Sequence, residues 1–259
     1  MPRSVWLCLV LGVNMFANAG AFAEEAALKW GHLKGRVTLK GDIPKLEPYI
    51  KAGDPKVKDS AICAAQDLPD TSLVVDPETN GVAHVAVYLQ KAPTQIHPSL
   101  ANASSKEIEM HAKGCRYEPH VVFARVGQKI RIKNDDTVAH NHHVYSVKSR
   151  QFGYVVQPND PAGEVHEVRF AERLPAKVGC DIHPWMMAYW LVIDHPYAAI
   201  TGKDGTFQIK HLPVGEHELH VWQERIGYVE KVIHKVTIKS DETTMFDLAI
   251  PIDKLVEKK

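Results

Sequence analysis

The sequence has little cysteine, no net charge and few long apolar runs. Its 259 residues include four cysteines, and its 31 basic side chains equal its 31 acidic ones. Balanced charge argues against a nucleic-acid partner held by attraction to phosphate. Beyond the N-terminal segment no stretch is apolar enough to span a bilayer, so we predict no stable membrane span. Long helical periods are also missing, which argues against a helical bundle.

The N-terminal segment is typical of a secretory signal peptide over residues 1–23. Arg3 supplies the positive start, residues 5–16 are apolar, and 21–23 form an A-x-A cleavage site. We expect cleavage before Glu24 and a periplasmic or secreted protein. A membrane-tethered signal anchor is the alternative, although the apolar run is short for a membrane span.

Short alternating runs dominate the sequence and predict an all-β fold. The runs are bounded by Gly, Pro or Asp, and Asp204-Gly205 between two of them predicts a hairpin. Segment 44–81 is rich in Pro, Lys, Asp and Gly, and we expect an extended excursion there with one short helix. The predicted strands include residues 85–89, 129–133, 206–209 and 218–222.

A thiol, two imidazoles and a thioether occur in the order of a metal site. Cys180, His183 and Met186 lie at i, i+3 and i+6, so one short loop can wrap three ligands around one ion. His140 precedes them by about forty residues and would come from a separate strand end. This ligand set is that of a mononuclear electron-transfer copper site. Because His, His and Cys also satisfy zinc, the choice between copper and zinc stays open.

The ordered set resembles the cupredoxins, the plastocyanin and amicyanin family of blue copper proteins. The resemblance depends on His140-Asn141 followed by Cys-x-x-His-x-x-Met, and on the stretches 117–119 and 126–136. It covers residues 105–194 and implies a Greek-key cupredoxin sandwich with copper as the cofactor. It also implies that Asn141 braces the ligand loop through hydrogen bonds.

Four positions near this set have alternative interpretations. The amicyanin-like spacing favours Met186 as the axial ligand, with Met187 as its competitor. His143 and His120 depart from the simple blue copper pattern. Each is either a surface or packing histidine, or else an additional ligand or part of a second metal site. If the strand continues past Asn141, His143 shares its face beside the metal and the preceding histidine points away.

Cleavage before Glu24 would leave three of the four cysteines, and an odd number in an exported chain indicates one thiol with a separate role. If Cys180 binds the metal, Cys63 and Cys115 remain as a disulfide suited to an oxidising compartment. Two separate buried thiols are the alternative. We favour the disulfide because its loop would tie the irregular segment 44–81 to the copper domain.

The C-terminal part resembles the later strands of a carboxypeptidase regulatory-like domain, a prealbumin-like β-sandwich. The opening strands of such a domain occur near the N-terminus instead. The segments that carry this resemblance are 35–39, 85–89, 197–201, 204–209 and 212–219. It implies a discontinuous sandwich of residues 33–98 and 195–252, with the cupredoxin domain inserted between them. Three small domains in sequence are the alternative, and we expect 253–259 to be a charged tail.

The leading hypothesis for function is a one-electron carrier, not an enzyme, whose partner is a c-type cytochrome or an oxidoreductase of the periplasm. We expect His183 to lie on an exposed loop through which the electron leaves. Trp185 either shields the metal from water or packs in the core. The alternatives are a copper enzyme with an open coordination position and a copper-binding or scaffold protein.

Overall fold

The computed structural model describes Met1 and residues 29–149, 151–229 and 233–256. The predicted signal peptide lies outside the described residues apart from Met1, and so does the end of the predicted tail. The regular structure of the described chain is almost entirely β-strand, which confirms the all-β prediction. None of the helices in these ranges has the length and apolarity needed to cross a membrane.

In the part of the chain that the structure describes, most strands are short and are accompanied by two helices and one 3-10 turn with assigned bounds. The strands are β1 (Trp30–Lys40), β2 (Ala86–Leu89), β3 (Ile108–Ala112), β4 (Tyr117–Glu118), β5 (Val121–Arg125), β6 (Lys129–Asn134), β7 (His140–Tyr145), β8 (Phe152–Val156), β9 (Asp160–Glu167), β10 (Ala176–Gly179), β11 (Met187–Ile193), β12 (Ala198–Ile200), β13 (Thr206–Pro213), β14 (Gly215–Gln223), β15 (Gly227–Tyr228), β16 (His234–Ile238), β17 (Thr243–Met245) and β18 (Leu248–Pro251). The helices are α1 (Ser60–Cys63) and α2 (Ile252–Leu255), and the 3-10 turn is Pro98–Leu100.

The first sandwich takes strands from both ends of the chain. One of its sheets has the order β13-β1-β17, with β18 also paired to β1, and the other has the order β12-β2-β14-β15, with β16 paired to β14. Side chains of both sheets share one apolar core, which includes Leu33, Val37, Val87 and Val221. Alternate side chains of β1 are buried, because successive residues of a strand face opposite sides of the sheet.

The second sandwich lies between these strands in the sequence. Its sheets have the orders β5-β11-β10-β7-β8 and β4-β3-β6-β9, and its core includes Met110, Ile132 and Val178. A smaller apolar cluster joins the two sandwiches, with Trp222 from the first and Leu191 from the second. The two sandwiches therefore pack directly against each other.

The irregular excursion predicted at 44–81 is held against the second sandwich. Cys63 at the end of α1 forms a disulfide with Cys115, with their Cα atoms 5.3 Å apart. Ile50 and Leu68 pair in an isolated bridge and pack, together with Trp185, in a small apolar cluster. The excursion therefore covers the loop between β10 and β11.

The turn predicted at Asp204-Gly205 forms, but the hairpin prediction is wrong. Strand β12 pairs with β2 whereas β13 pairs with β1, so the chain crosses between the two sheets at this turn. Gly205 has a φ of +77°, and a Cβ there would lie 2.2 Å from the carbonyl oxygen of Val37. Close packing of the turn against β1 thus requires glycine and separates the two strands.

The charged tail predicted at 253–259 begins inside a helix. Residues 253–255 belong to α2, and Leu255 is buried in the core of the first sandwich. Leu255 is apolar, but the stretch around it is charged. Composition alone therefore predicts an exposed tail and does not reveal that this side chain is buried.

Candidate metal centre

Three side chains bring their donor atoms together in one buried cluster. Nδ1 of His140 lies 2.9 Å from Nδ1 of His183, and Sγ of Cys180 lies 3.8 Å from the same Nδ1. The three residues are between 0 and 4 % exposed. One donor atom from each lies within 4.8 Å of the other two. Two imidazole nitrogens and a thiolate form the trigonal ligand set of a blue copper site, so these side chains fit the ion.

Neighbouring strands position these donors. His140 is the first residue of β7, and Cys180 directly follows β10, which pairs with both β7 and β11. The loop that returns to β11 is tight, because the Cys180 amide donates to the Met186 carbonyl and the Met186 amide donates to the His183 carbonyl. The first residue of β7 and the short loop from β10 to β11 therefore meet at one edge of the second sandwich.

Asn141 ties the strand end to the ligand loop. Its Oδ1 accepts the amide hydrogen of Asp181 at 2.7 Å and lies 3.3 Å from Sγ of Cys180. Its Nδ2 donates to a carboxylate oxygen of Asp181 at 2.7 Å. These bonds hold the loop in the conformation that points the thiol and His183 at the same place.

Each histidine of the cluster has a carboxylate on its outer nitrogen. Nε2 of His140 lies 2.9 Å from Oδ2 of Asp136, and Nε2 of His183 lies 3.0 Å from Oδ2 of Asp59. Such a carboxylate fixes the ring orientation and leaves the other ring nitrogen free to bind a metal. The sequence analysis missed both roles. Asp136 lies four residues before His140, a local signal that could have been used, whereas Asp59 is distant in sequence.

The same contacts determine the charge of the cluster. Burial raises the pKa of the Cys180 thiol, but hydrogen bonds from His140 and His183 outweigh burial and lower it to about 6. Burial lowers the pKa of His140, whereas the Asp136 carboxylate and the Cys180 thiolate raise it to about 9. The cluster thus favours the thiolate, which is the form that binds a metal.

The two methionines occupy different environments. Met186 is 1 % exposed and belongs to the same core as Cys180, whereas Met187 is half-buried at the start of β11. Trp185 donates from Nε1 to the carbonyl oxygen of Cys115 at 3.2 Å, and its ring centre lies 5.2 Å from that of His183. Met186 remains the predicted axial ligand, and Trp185 packs against both the core that contains Cys180 and the apolar cluster of the excursion.

The other histidines of β7, His142 and His143, have partners outside the three-residue cluster. His143 lies outside the three-residue cluster; its ring stacks on Tyr145, with the centres 4.2 Å apart, and its Nδ1 lies 3.3 Å from a carboxylate oxygen of Asp181. His142, which was expected to point away from the site, is fully buried, with its Nε2 2.7 Å from Nε2 of His166. Strand alternation explains this arrangement, because the first and third residues of β7 both face the core.

The prediction that His183 lies on an exposed loop is wrong. Its side chain is 0 % exposed, and Asp59, which contacts its outer nitrogen, is 31 % exposed. The excursion that carries Asp59 packs over the ligand loop beside Trp185. Residue spacing could not reveal this cover, since it depends on a contact across 124 positions.

His120 lies in a separate cluster, in a cleft of about 720 Å³ to which both methionines of the loop contribute. Its Nε2 lies 2.5 Å from Oε1 of Glu224, and its ring centre lies 5.2 Å from that of His84. The sequence analysis missed His84 and Glu224, which come from the other sandwich and carry no motif.

No protein-family model matches the chain, and no curated protein matches it. Among solved structures, a novel purple cupredoxin from Nitrosopumilus maritimus is 21 % identical, with a TM-score of 0.28; the match covers 33 % of this chain and 98 % of the other. Amicyanin from Paracoccus versutus is 15 % identical, with a TM-score of 0.30 and coverage of 36 and 86 %. A reduced amicyanin mutant is 17 % identical, with a TM-score of 0.30 and coverage of 36 and 87 %.

Proposed function

We propose that this chain is an exported mononuclear copper protein that carries single electrons in the periplasm. The observation that carries the proposal is the convergence of His140, Cys180 and His183, with one donor atom of each within 4.8 Å of the others. A thiolate with two imidazoles suits electron-transfer copper. Met186 from the same buried loop supplies the weak axial thioether.

Support for a carrier comes from how firmly the protein holds these ligands. Asp136 and Asp59 hold the outer nitrogens of the two histidines, and Asn141 holds the loop between Cys180 and His183. Ligands that are fixed from behind keep their positions when the charge of the metal changes. Little rearrangement then accompanies each transfer.

The electron leaves through the edge formed by His183 and Asp59. The outer nitrogen of His183 is 3.0 Å from the Asp59 carboxylate, which is 31 % exposed, so one side chain separates this ligand from solvent. The partner is a c-type cytochrome or an oxidoreductase that binds over this edge through a small, transient interface.

We also propose that the copper domain is inserted into a discontinuous regulatory-like sandwich. Strand β1 pairs with β13, β17 and β18, and β2 pairs with β12 and β14. Each of these pairings joins chain segments on opposite sides of residues 105–194. An inserted domain of this kind is tolerated where the interrupted host strands end at the surface.

The visible spectrum of protein loaded with Cu(II) tests the copper proposal. We expect an intense thiolate-to-copper band and a small copper hyperfine splitting in electron paramagnetic resonance. Cys180→Ser should abolish the band, whereas His143→Gln, a histidine of the same strand outside the cluster, should keep it. The proposal fails if the band is missing, or if it survives in Cys180→Ser.

A copper enzyme is the second candidate, and the cleft of about 720 Å³ that Met186 helps to line favours it. An enzyme would keep a coordination position open for water or a small ligand. Pulsed electron paramagnetic resonance in deuterated water separates the two candidates. An exchangeable water on copper supports the enzyme, and a copper site without one supports the carrier.

A further inference from the structure

A second set of donor atoms meets at His140, beside the disulfide. Sγ of Cys115, a carboxylate oxygen of Asp136 and a ring nitrogen of His140 all lie within 4.8 Å of one another. All three side chains are buried, with exposed fractions of 0, 8 and 1 %. Cys115 lies between β3 and β4, Asp136 lies between β6 and β7, and His140 begins β7. The second sandwich thus brings together a sulfur, a carboxylate and an imidazole, which are ligand types of zinc and related ions.

The carboxylate of Asp136 holds the other two donors in place. Its Oδ1 accepts the amide hydrogen of Gly114 at 2.7 Å, and its Oδ2 accepts that of Cys115 at 2.8 Å. The same Oδ2 lies 2.9 Å from Nε2 of His140. One side chain therefore fixes both the turn that carries the sulfur and the ring of the histidine. Donors that are positioned in this way need little rearrangement to bind an ion.

The disulfide decides whether the sulfur can act as a ligand. Sγ of Cys115 is bonded to that of Cys63 at the end of α1, and a metal binds a thiolate, not a disulfide. An exported chain carries both residues as thiols until it is oxidised. Exchange with a disulfide oxidant then removes two electrons and two protons from the thiols and reduces the oxidant to a dithiol. The full donor set therefore exists only while the bridge is open.

We propose that Cys115, Asp136 and His140 bind a divalent first-row metal ion such as Zn²⁺ while the disulfide is open, and that the disulfide closes this site. On binding, the S–H bond of Cys115 breaks, its proton passes to water and the sulfur bonds to the ion. No oxidation or reduction accompanies this step. The ion lies between the Asp136 carboxylate and the histidine ring and replaces their direct hydrogen bond. These three ligands leave a fourth tetrahedral position for water.

His140 links this site to the cluster at Cys180. Its Nε2 faces Asp136, whereas its Nδ1 lies 2.9 Å from Nδ1 of His183. A neutral imidazole has a lone pair on one ring nitrogen and a hydrogen on the other. An ion on Nε2 therefore places the hydrogen on Nδ1 and removes this ligand from the first cluster. Closing the disulfide keeps His140 for copper, a consequence that rests on the proposed function.

Cobalt titration of a chain with a single thiol tests the site. A chain that begins at Glu24 has three cysteines, so Cys63→Ser/Cys180→Ser leaves only Cys115. We expect this variant to bind one equivalent of Co²⁺ with a thiolate-to-cobalt charge-transfer band, and Zn²⁺ to displace the cobalt. Adding Asp136→Asn should weaken binding at least about tenfold, the smallest loss typical even of an indirect partner of a metal.

Two matched controls accompany this titration. Cys180→Ser alone keeps the disulfide and should show no thiolate-to-cobalt band until a phosphine has reduced the bridge to two countable thiols. Asp135→Asn, in the single-thiol variant, changes the neighbouring carboxylate, which lies 3.0 Å from Nδ1 of His111 and should not affect the band. A band with the disulfide intact, a band that survives Asp136→Asn, or none after reduction overturns the proposal.

Stability measurements show whether the single-thiol variant is folded. An ion that binds only the native chain raises its resistance to denaturant. Zn²⁺ should therefore raise the unfolding midpoint of Cys63→Ser/Cys180→Ser and leave that of Cys180→Ser, with its disulfide, nearly unchanged. A single-thiol variant that Co²⁺ does not colour and Zn²⁺ does not stabilise refutes the site.

Copper loading separates this proposal from the electron carrier. The parent protein with its disulfide closed should give the thiolate-to-copper band whatever the cobalt result, and a missing band would refute only the carrier. One equivalent of Zn²⁺ added before copper should reduce the band more in Cys63→Ser than in the parent. Equal reduction in both proteins would show that the two sites do not compete for His140.

Discussion

The carboxylate of Asp59 lies 3.0 Å from Nε2 of His183, although 124 positions separate the two residues in sequence. Asp59 directly precedes α1, and the disulfide between Cys63 and Cys115 fixes the end of that helix. The irregular excursion therefore forms the outer wall of the candidate metal centre. This contact makes His183 a buried residue.

Asp59→Asn should weaken copper binding and raise the reduction potential. A carboxylate behind an imidazole increases its basicity and favours the more highly charged Cu(II), whereas a neutral amide does so less. Loss of such a partner typically lowers metal affinity about 10- to 100-fold. Competition with a chelator measures the affinity, and voltammetry measures the potential.

Asp54→Asn is the control for Asp59→Asn. Asp54 lies in the same excursion and accepts the amide hydrogen of Lys56 at 2.9 Å, on an exposed part of the chain. Its substitution should leave affinity and potential unchanged. Equal effects of the two variants would mean that the excursion acts through its general charge and not through the contact with His183.

Removal of the disulfide by Cys63→Ser/Cys115→Ser should destabilise the protein by about 4 kcal/mol. The bridge spans 52 positions, and a loop of that length constrains the unfolded chain by about this amount. Chemical denaturation measures the change. Copper should also react faster with a small reductant, because the wall over His183 loosens. A double variant that is as stable as the parent and reacts at the same rate contradicts this account.

Asn141→Ala should accelerate the loss of copper. The substitution removes the acceptor of the Asp181 amide hydrogen and a contact with Sγ of Cys180, so the ligand loop is no longer tied to β7. Copper transfer to a chelator, followed by the thiolate-to-copper band, measures the rate. Asn102→Ala, at an exposed position, should behave as the parent does. An unchanged rate in Asn141→Ala would show that the loop needs no support from this amide.

His166 should make the protein less stable in mild acid. Burial lowers its pKa from the ordinary 6.5 to about 4, so the unfolded chain binds a proton that the folded chain does not. Stability is therefore full above about pH 6.5 and falls as the pH falls toward 4. In His166→Gln this dependence should be shallower by up to one proton, or about 1.4 kcal/mol per pH unit. Denaturation between pH 7 and 4 measures it.

His143→Gln is the control for the pH experiment, since His143 lies on the opposite face of β7 and contacts the exposed carboxylate of Asp181. Its pH profile should follow that of the parent. A profile of His166→Gln that is as steep as the parent's would mean that the buried pair with His142 does not contribute to acid unfolding.

Local patterns in the sequence predict much of the fold. The structure has β6 at Lys129–Asn134 where 129–133 was predicted, and β14 at Gly215–Gln223 where 218–222 was predicted. Alternation of apolar side chains and bounding turns identify such strands without knowledge of their partners. The spacing of Cys180 and His183 is equally local, because these two residues share one loop.

Contacts between distant parts of the chain could not be predicted in this way. Asp59 and Glu224 are ordinary acidic residues in the sequence, and each meets a histidine only because separate segments pack together. The burial of His183 depends on the excursion, and the crossover at Gly205 depends on how the turn packs against β1. None of these features repeats with a period or lies within one motif.

Copper-edge X-ray absorption of the loaded protein tests the central claim most directly. We expect one sulfur at short distance, from Cys180, and two imidazole nitrogens, from His140 and His183, around a single copper ion. Cys180→Ser should remove the short sulfur. A first shell of nitrogen and oxygen without a short sulfur in the parent protein would contradict the proposed site.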